Sequence, residues 1–482
     1  MAMLGKRRPK RAPSGVSGLQ GRQSDSRTAP AAPLEHDVLE IQGMAHDGRG
    51  VARSSQGKTV FVDGALPGEQ VRVAVHRTRK RFDEAHVREL LTPSTERVEP
   101  PCPHFARCGG CDLQHLALPA QRRHKQVVLE ELLGRQGITL AASPELLAGA
   151  GEGYRRRARL GVKVDADGLV HLGFRARHSH RLIDIAACTV LVPALEALLA
   201  PLHQQLADLE APRQVGHLEL LDSDQGAVLV VRQLRDHPGD TRRWEAFAEA
   251  QGIHLARWLG RETPDFQWLT PVPDLDCRVP GPAGDISLRF APGDFLQANA
   301  EVNRLMVGAA LAWLSPLVDG ARVLDLFAGV GNFSLPLAAA GARVTAAEGS
   351  HAMVERLTEN TRANSQGRDL ELEAHQADLA SPEAVRDLLA TLRPRVVVLD
   401  PPREGAEAVC RALTEHPVPH LLYISCDPAT LARDAAHLVH VGYRIVRAAV
   451  ADMFVQTSHL ESMLLFEFTG STRPPQGAPS DG

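Results

Sequence analysis

Cys426 stands in Leu421-Leu422-Tyr423-Ile424-Ser425-Cys426-Asp427-Pro428, where an apolar strand runs out into a polar turn. A lone cysteine at a strand end is usually inert packing. Here a helix is predicted over 429–436, directly after the turn, and its N-terminus can draw a thiol below its usual pKa of about 8.5. Cys426 is therefore a candidate nucleophile. Upstream, a similar strand ends in Asp325-Leu326-Phe327-Ala328-Gly329-Val330-Gly331-Asn332-Phe333. Gly329 and Gly331 let the backbone turn sharply, and the next helix N-terminus faces whatever binds there. The following strand ends in Glu348, whose carboxylate is placed to accept from ribose hydroxyls. Phe333 and Ser334 stand where a dinucleotide fingerprint would place its third glycine, which favours S-adenosylmethionine over NAD. A thiol and a nucleoside site on one sheet edge point to covalent group transfer.

Asp400-Pro401-Pro402-Arg403 follows a third apolar strand. An Asp at the C-terminal end of a parallel strand points into the ligand crevice, and the two prolines stiffen the loop and remove its donors. Arg403 occupies the place where a tyrosine would suggest methylation of a flipped amino base. Seven cysteines are too few for a disulfide scaffold in 482 residues, but three of them fall between Cys102 and Cys111. That crowding suggests metal in a reducing compartment. Cys277 and Cys410 have no partner in pattern and read as packing. His104, His115, His171, His178 and His180 lack metal-ligand spacing.

These groups need elements to hold them, and the chain is too long for one core, so two or three domains are expected. Its composition, 44% hydrophobic and 23% charged, is that of a globular protein, and no run approaches the roughly 20 apolar residues of a membrane helix. Residues 1–33 carry Lys6, Arg7, Arg8, Lys10, Arg11, Arg22 and Arg27 against Asp25, and read as a disordered basic arm. Short β segments with glycine turns over 37–91 fit a small OB-like barrel. Its last hairpin bears Arg72, Arg77, Arg79, Lys80, Arg81 and Arg88, with Asp83 and Glu84 between, a cationic face suited to a nucleic-acid backbone. A helical segment at 119–137 follows. Residues 153–290 are strand-rich, with Tyr154-Arg155-Arg156-Arg157-Ala158-Arg159 presenting one cationic face, and predict an antiparallel α+β region. From 293 onward helices alternate with short apolar strands at 322–327, 343–348, 395–400 and 420–425, the pattern of a parallel sheet between helices.

The set Phe295-Leu296-Gln297-Ala298-Asn299, 325–333, 400–403, Ser425-Cys426-Asp427-Pro428 and His459-Leu460-Glu461-Ser462 resembles the RNA uracil-5-methyltransferases. The barrel resembles a TRAM domain. Cys102, Cys108 and Cys111 with the distant Cys188 resemble that family's iron–sulfur site, although four thiols alone would also suit zinc. The combination points to the branch that modifies 23S rRNA, since the tRNA-modifying relative lacks both barrel and cluster. The resemblance implies a multi-domain enzyme. Its parts are a basic tail (1–33), a TRAM barrel (34–93), an α+β middle domain with an iron–sulfur knot (94–113 and 148–290), a Rossmann-like class I methyltransferase domain (114–147 and 291–470) and a flexible tail (471–482). It further implies S-adenosylmethionine-dependent methylation of C5 of a 23S rRNA uridine through a Cys426–C6 adduct, with Glu461 as proton acceptor. Gln297, Phe327, Asn332, Glu348, Asp378 and Asp400 would contact the cofactor, and a structural [4Fe–4S] cluster would sit on the four cysteines. The target uridine would lie in a loop or be flipped out. The protein would be cytoplasmic, with no membrane and no obligate protein partner.

Overall fold

The computed structural model describes residues 38–177, 179–366 and 369–470. The basic arm, the C-terminal tail and His178 lie outside the described residues. The first unit is a six-stranded sheet in the spatial order Leu39–Glu40, Gln70–Thr78, Phe82–Thr92, Thr59–Asp63, Gly50–Arg53, Gly43–Met44. It curls around Leu39, Val60, Val62, Val71, Val73 and Ala85, which are buried at alternate positions along their strands. Gln42 N–H donates to the Val51 carbonyl at 2.8 Å, carrying the first segment across to the opposite edge and closing the barrel. Among the described residues Arg72 is neutralised in place by Glu89 at 2.8 Å and Arg77 by Glu84 at 3.5 Å. The exposed tip, Arg79, Lys80 and Arg81, keeps its charge without an ion-pair partner among the described residues.

The middle region is a seven-stranded sheet, antiparallel except where Gly226–Gln233 runs parallel to His254–Leu259. Helices Leu199–Ala207 and Pro238–Gln251 cover one face. The helix at 238–251 is absent from the sequence reading, although Trp244, Phe247 and Ala248 recur at helical spacing and all three are buried.

The C-terminal unit holds an eight-stranded sheet. In chain order its strands are β1 (Glu145–Leu147), β2 (Arg322–Leu326), β3 (Arg343–Glu348), β4 (Leu372–Gln376), β5 (Val396–Leu399), β6 (His420–Ser425), β7 (Tyr443–Ala451) and β8 (Glu461–Phe468), arranged β4-β3-β2-β5-β6-β8-β7-β1. Strands β4 to β6 are parallel, and β8 returns antiparallel between β6 and β7. Successive side chains feed two separate cores. Val396, Val398, Leu422 and Ile424 enter one, and Val397, Leu399, Leu421 and Tyr423 the other. That is why these strands read as unbroken apolar runs. Helix α1 (Leu118–Arg135) buries Val128, Leu129 and Leu133 in the second core, and β1 extends the sheet beyond β7. Helices α2 (Ala300–Val318), α3 (Ser334–Ala339), α4 (His351–Asn364), α5 (Pro382–Leu392), α6 (Glu407–Glu415) and α7 (Pro428–His440) complete the two outer layers. Among the described residues no helix is long and apolar enough to cross a membrane.

Candidate active site

The register of four neighbouring strands assembles the site. Leu326 at the end of β2 pairs with Leu399 at the end of β5, so Phe327 and Asp400 leave the sheet side by side. Leu399 in turn pairs with Tyr423 on β6, which runs on to Ser425. Ser425 pairs with Ser462 on β8, an antiparallel match that sets Cys426 opposite Glu461. Glu461 is the first residue of β8, and only 4% of it is exposed. Cys426, Asp400, Glu461 and the exposed Arg403 thus share one corner.

Their electrostatics correct one expectation. The Cys426 thiol is pushed up to about 11, by burial first and then by the Glu461 and Asp400 carboxyls, against a smaller opposing pull from Arg403. Helix α7 does begin just beyond it, but the Asp427 side chain caps that end, accepting from Ala429 N–H at 3.0 Å and Thr430 N–H at 2.9 Å. The helix N-terminus is spent on a carboxylate and lends little to the thiol. Glu461 is also raised well above its ordinary value, by burial and then by Asp400, with Arg403 opposing. Burial lifts Asp400 to about 7. Three acids therefore share one poorly hydrated corner in which neutral forms are favoured.

Beside it lies the glycine-rich turn. Phe327 takes φ +65°, a left-handed conformation costly for a bulky residue, and Gly329 and Gly331 follow at +55° and +103°. At φ +103° any other side chain at Gly331 would be strained, and its Cβ would also sit 2.6 Å from Leu357 Cδ1. Glu348 closes the turn, accepting from Gly329 N–H at 3.1 Å and Ser350 N–H at 2.9 Å. Buried Asp325 is raised to about 7 by burial and holds the Ser334 hydroxyl at the head of α3. Asn332 lies in a reciprocal amide pair with Asn303 of α2. The sequence reading passed over Asn303, whose only signal was a polar residue on a buried helix face. Gln297 is buried at the approach to α2, its carbonyl accepting from Arg156 Nε at 2.9 Å, and Asn299 caps that helix. Asp378 is exposed, two residues beyond the Gln376 that pairs with Glu348. Phe327, Asn332, Glu348, Asp378 and Asp400 thus lie at or beyond the C-terminal ends of β2, β3, β4 and β5, with Asp378 at the periphery, whereas Gln297 stands ahead of α2, whose Asn303 meets Asn332.

The cysteines form a separate locus. Cys102, Cys108, Cys111 and Cys188 are all free thiols. Burial pushes Cys111 up to about 12 and Cys188 up to about 11, and each lies within electrostatic reach of the other cysteines. The knot is stitched to the middle sheet, with Gly109 N–H donating to the Arg175 carbonyl and Arg177 reaching the Cys108 and Cys111 carbonyls. No three His, Cys, Asp or Glu side chains among the described residues close into a metal-ligand group. The four thiols gather without coordination geometry, and burial first, then the neighbouring cysteines, disfavours the thiolate at Cys108, Cys111 and Cys188. Cys277 and Cys410 are buried in the two cores, as packing requires.

Comparison with known proteins matches these features. Residues 119–468 match the tRNA (Uracil-5-)-methyltransferase family model and 38–87 the TRAM domain model. The chain is 63% identical to the 23S rRNA (uracil(1939)-C(5))-methyltransferase RlmD of Halomonas elongata over 487 aligned positions, the full length of both. It is 56% identical to the protein of that name from Chromohalobacter salexigens, covering 96% of this chain and 95% of the relative. The Pyrococcus abyssi tRNA (uracil-54, C5)-methyltransferase in complex with S-adenosyl-L-homocysteine superposes with TM-score 0.67 at 22% identity, over 89% of this chain and all of that one, and shares the fold. The chain belongs to the tRNA/rRNA uracil-5-methyltransferase family, in a form that carries a TRAM domain.

Proposed function

We infer that this protein is a 23S rRNA (uracil-5-)-methyltransferase, the activity named for the full-length relatives, and that it depends on S-adenosylmethionine. The observation that carries the mechanism is the placement of Cys426 opposite Glu461 across the β6–β8 pairing, beside the glycine-rich turn.

Uracil C5 is a weak nucleophile, and S-adenosylmethionine supplies an electrophilic methyl group when bound. We propose that Cys426, having released its proton to solvent, adds as a thiolate to C6, forming the C6–S bond and shifting the ring electrons into an enolate, whose C5 would take the methyl group as the sulfonium S–CH3 bond breaks and S-adenosylhomocysteine leaves. The Glu461 carboxylate then removes the C5 proton. The C5–H electrons form the C5=C6 bond, the C6–S bond breaks and the thiolate leaves. Arg403 favours the charged forms of both Cys426 and Glu461 and so supports both steps. Glu348 would hold the ribose, and Gln297, Phe327, Asn332, Asp378 and Asp400 would line the rest of the cofactor site. The exposed tip at Arg79, Lys80 and Arg81 would attract the rRNA backbone, with the uridine taken from a loop or flipped out of a helix. RNA carrying 5-fluorouridine, whose C5 bears no removable proton, should be trapped as an SDS-stable adduct. The absence of such a band from wild-type protein would sink the covalent mechanism.

We further propose that Cys102, Cys108, Cys111 and Cys188 hold a [4Fe–4S] cluster. Their chemistry fits, because four gathered thiols off any disulfide become stable thiolates once a cation neutralises them. The cluster would tie 102–111 to the middle sheet, and no catalytic step needs it. Iron and acid-labile sulfide in protein purified without oxygen should each approach four per chain, and zinc instead would refute this. The same reading divides the chain at 34–93, at 94–113 with 148–290, and at 114–147 with 291–470.

A further inference from the structure

The segment 452–460 connects β7 to β8 and delivers Glu461 to the sheet edge, yet its anchors come from a distant part of the chain. Asp452 is buried and holds Lys125 Nζ at 2.7 Å and Arg122 Nε at 3.0 Å, both on α1. Lys125 also donates to the Phe454 carbonyl, and the Tyr154 hydroxyl to the Val455 carbonyl. Gln456 turns at φ +67°, a conformation that costs a non-glycine residue on the order of 1 kcal/mol and persists only under outside constraint. That constraint is visible. The backbone N–H groups of Asp112 and Leu113 both donate to the Gln456 carbonyl, and Gln121 donates to its side-chain oxygen at 2.9 Å. One step on, Asp112 clamps Ser458 with both carboxylate oxygens, accepting from Ser458 N–H at 2.6 Å and Ser458 Oγ at 2.9 Å.

Ser458 lies three residues before Glu461, so the clamp sets where the strand begins and where the carboxylate points. We propose that Asp112 is a positioning residue for Glu461, tuning removal of the C5 proton without touching the uracil. Asp112 directly follows Cys111, so the clamp on Ser458 stands one peptide bond from the cysteine knot. Misplacing a catalytic group by about 1 Å can cost on the order of 100-fold in rate. Only the step that Glu461 performs should suffer. Addition of Cys426 to C6 and methyl transfer use groups held by β6 and the glycine-rich turn, which the clamp does not contact.

This inference rests on Glu461 being the proton acceptor. The test is a single-turnover experiment on full-length protein, with unmodified RNA and methyl-labelled S-adenosylmethionine, following formation and decay of the labelled protein–RNA adduct. Asp112→Ala should slow decay about 10- to 100-fold while formation stays within about threefold, leaving an SDS-stable band that wild type lacks. Asp112→Asn, which keeps an acceptor for the Ser458 N–H, should recover much of the decay rate. Ser458→Ala removes only the hydroxyl donor and should shift the balance in the same direction by a smaller factor, and it carries the test if Asp112→Ala fails to fold. Equal slowing of both steps, or no change in either, would overturn the proposal. Glu461→Gln is the control. If it accumulates adduct and the clamp variants do not, positioning by Asp112 is wrong; if it accumulates none, the proton-acceptor reading has failed and the inference falls with it.

Discussion

Asn303 and Asn332 exchange two amide hydrogen bonds, at 2.8 and 3.0 Å, joining helix α2 to the glycine-rich turn. Each amide uses its donor and its acceptor on the other, so the pair holds Asn332 in one orientation. Asn303→Ala should leave Asn332 without that partner and weaken S-adenosylmethionine binding about 5- to 10-fold, near the 1 kcal/mol net worth of a hydrogen bond. Calorimetric titration of the RNA-free protein measures this, and an unchanged Kd would refute it.

The Cys426 thiol, pushed up to about 11, should be sluggish in the free protein. Alkylation by iodoacetamide, followed at Cys426 by mass spectrometry, should rise about tenfold per pH unit from pH 7 towards pH 10, because only the thiolate reacts. Arg403→Ala removes the cation that opposes the two carboxyls and should move that profile to higher pH. A plateau already reached at pH 7 would contradict this electrostatic account.

Asp400 gains stability from burial only as a neutral acid. Its folded pKa of about 7 lies above the ordinary 3.8, so the folded state holds a proton that the unfolded chain releases. This contribution is fully present below about pH 4 and is lost as pH rises through about 7. Asp400→Asn should therefore stabilise the protein at pH 8, by on the order of 1 kcal/mol, while reducing activity. The gain in Tm should shrink steadily towards pH 4, and a gain that does not depend on pH would show that another cause dominates.

At the barrel hairpin, replacing Arg79, Lys80 and Arg81 together by Gln should leave Tm unchanged, because the three are exposed and have no ion-pair partner among the described residues. If each meets a phosphate, the slope of log Kd against log salt for rRNA fragments should become shallower by about 2, at roughly 0.7 per contact with a single strand. The same change at Arg72 should matter less, since Glu89 already neutralises it.

Much of this protein could be read along the chain. The runs at 396–399 and 420–425 announce buried parallel strands because a strand flanked by two cores has no polar face. Gly329 and Gly331 announce the turn because both take a positive φ, and at Gly331 a Cβ would also meet Leu357 and Leu335. Local chemistry of this kind is written in neighbouring residues. What only the tertiary structure decided is which distant groups meet. Glu461 stands against Cys426 because β8 returns antiparallel beside β6, a register no local pattern encodes. The thiol pKa rises rather than falls because burial and two carboxyls from other strands outweigh a helix end already capped by Asp427. Asp112 holds Ser458 across 346 residues of sequence. Propensity and periodicity act over a few residues, whereas burial, charge and strand pairing depend on who arrives from elsewhere in the fold.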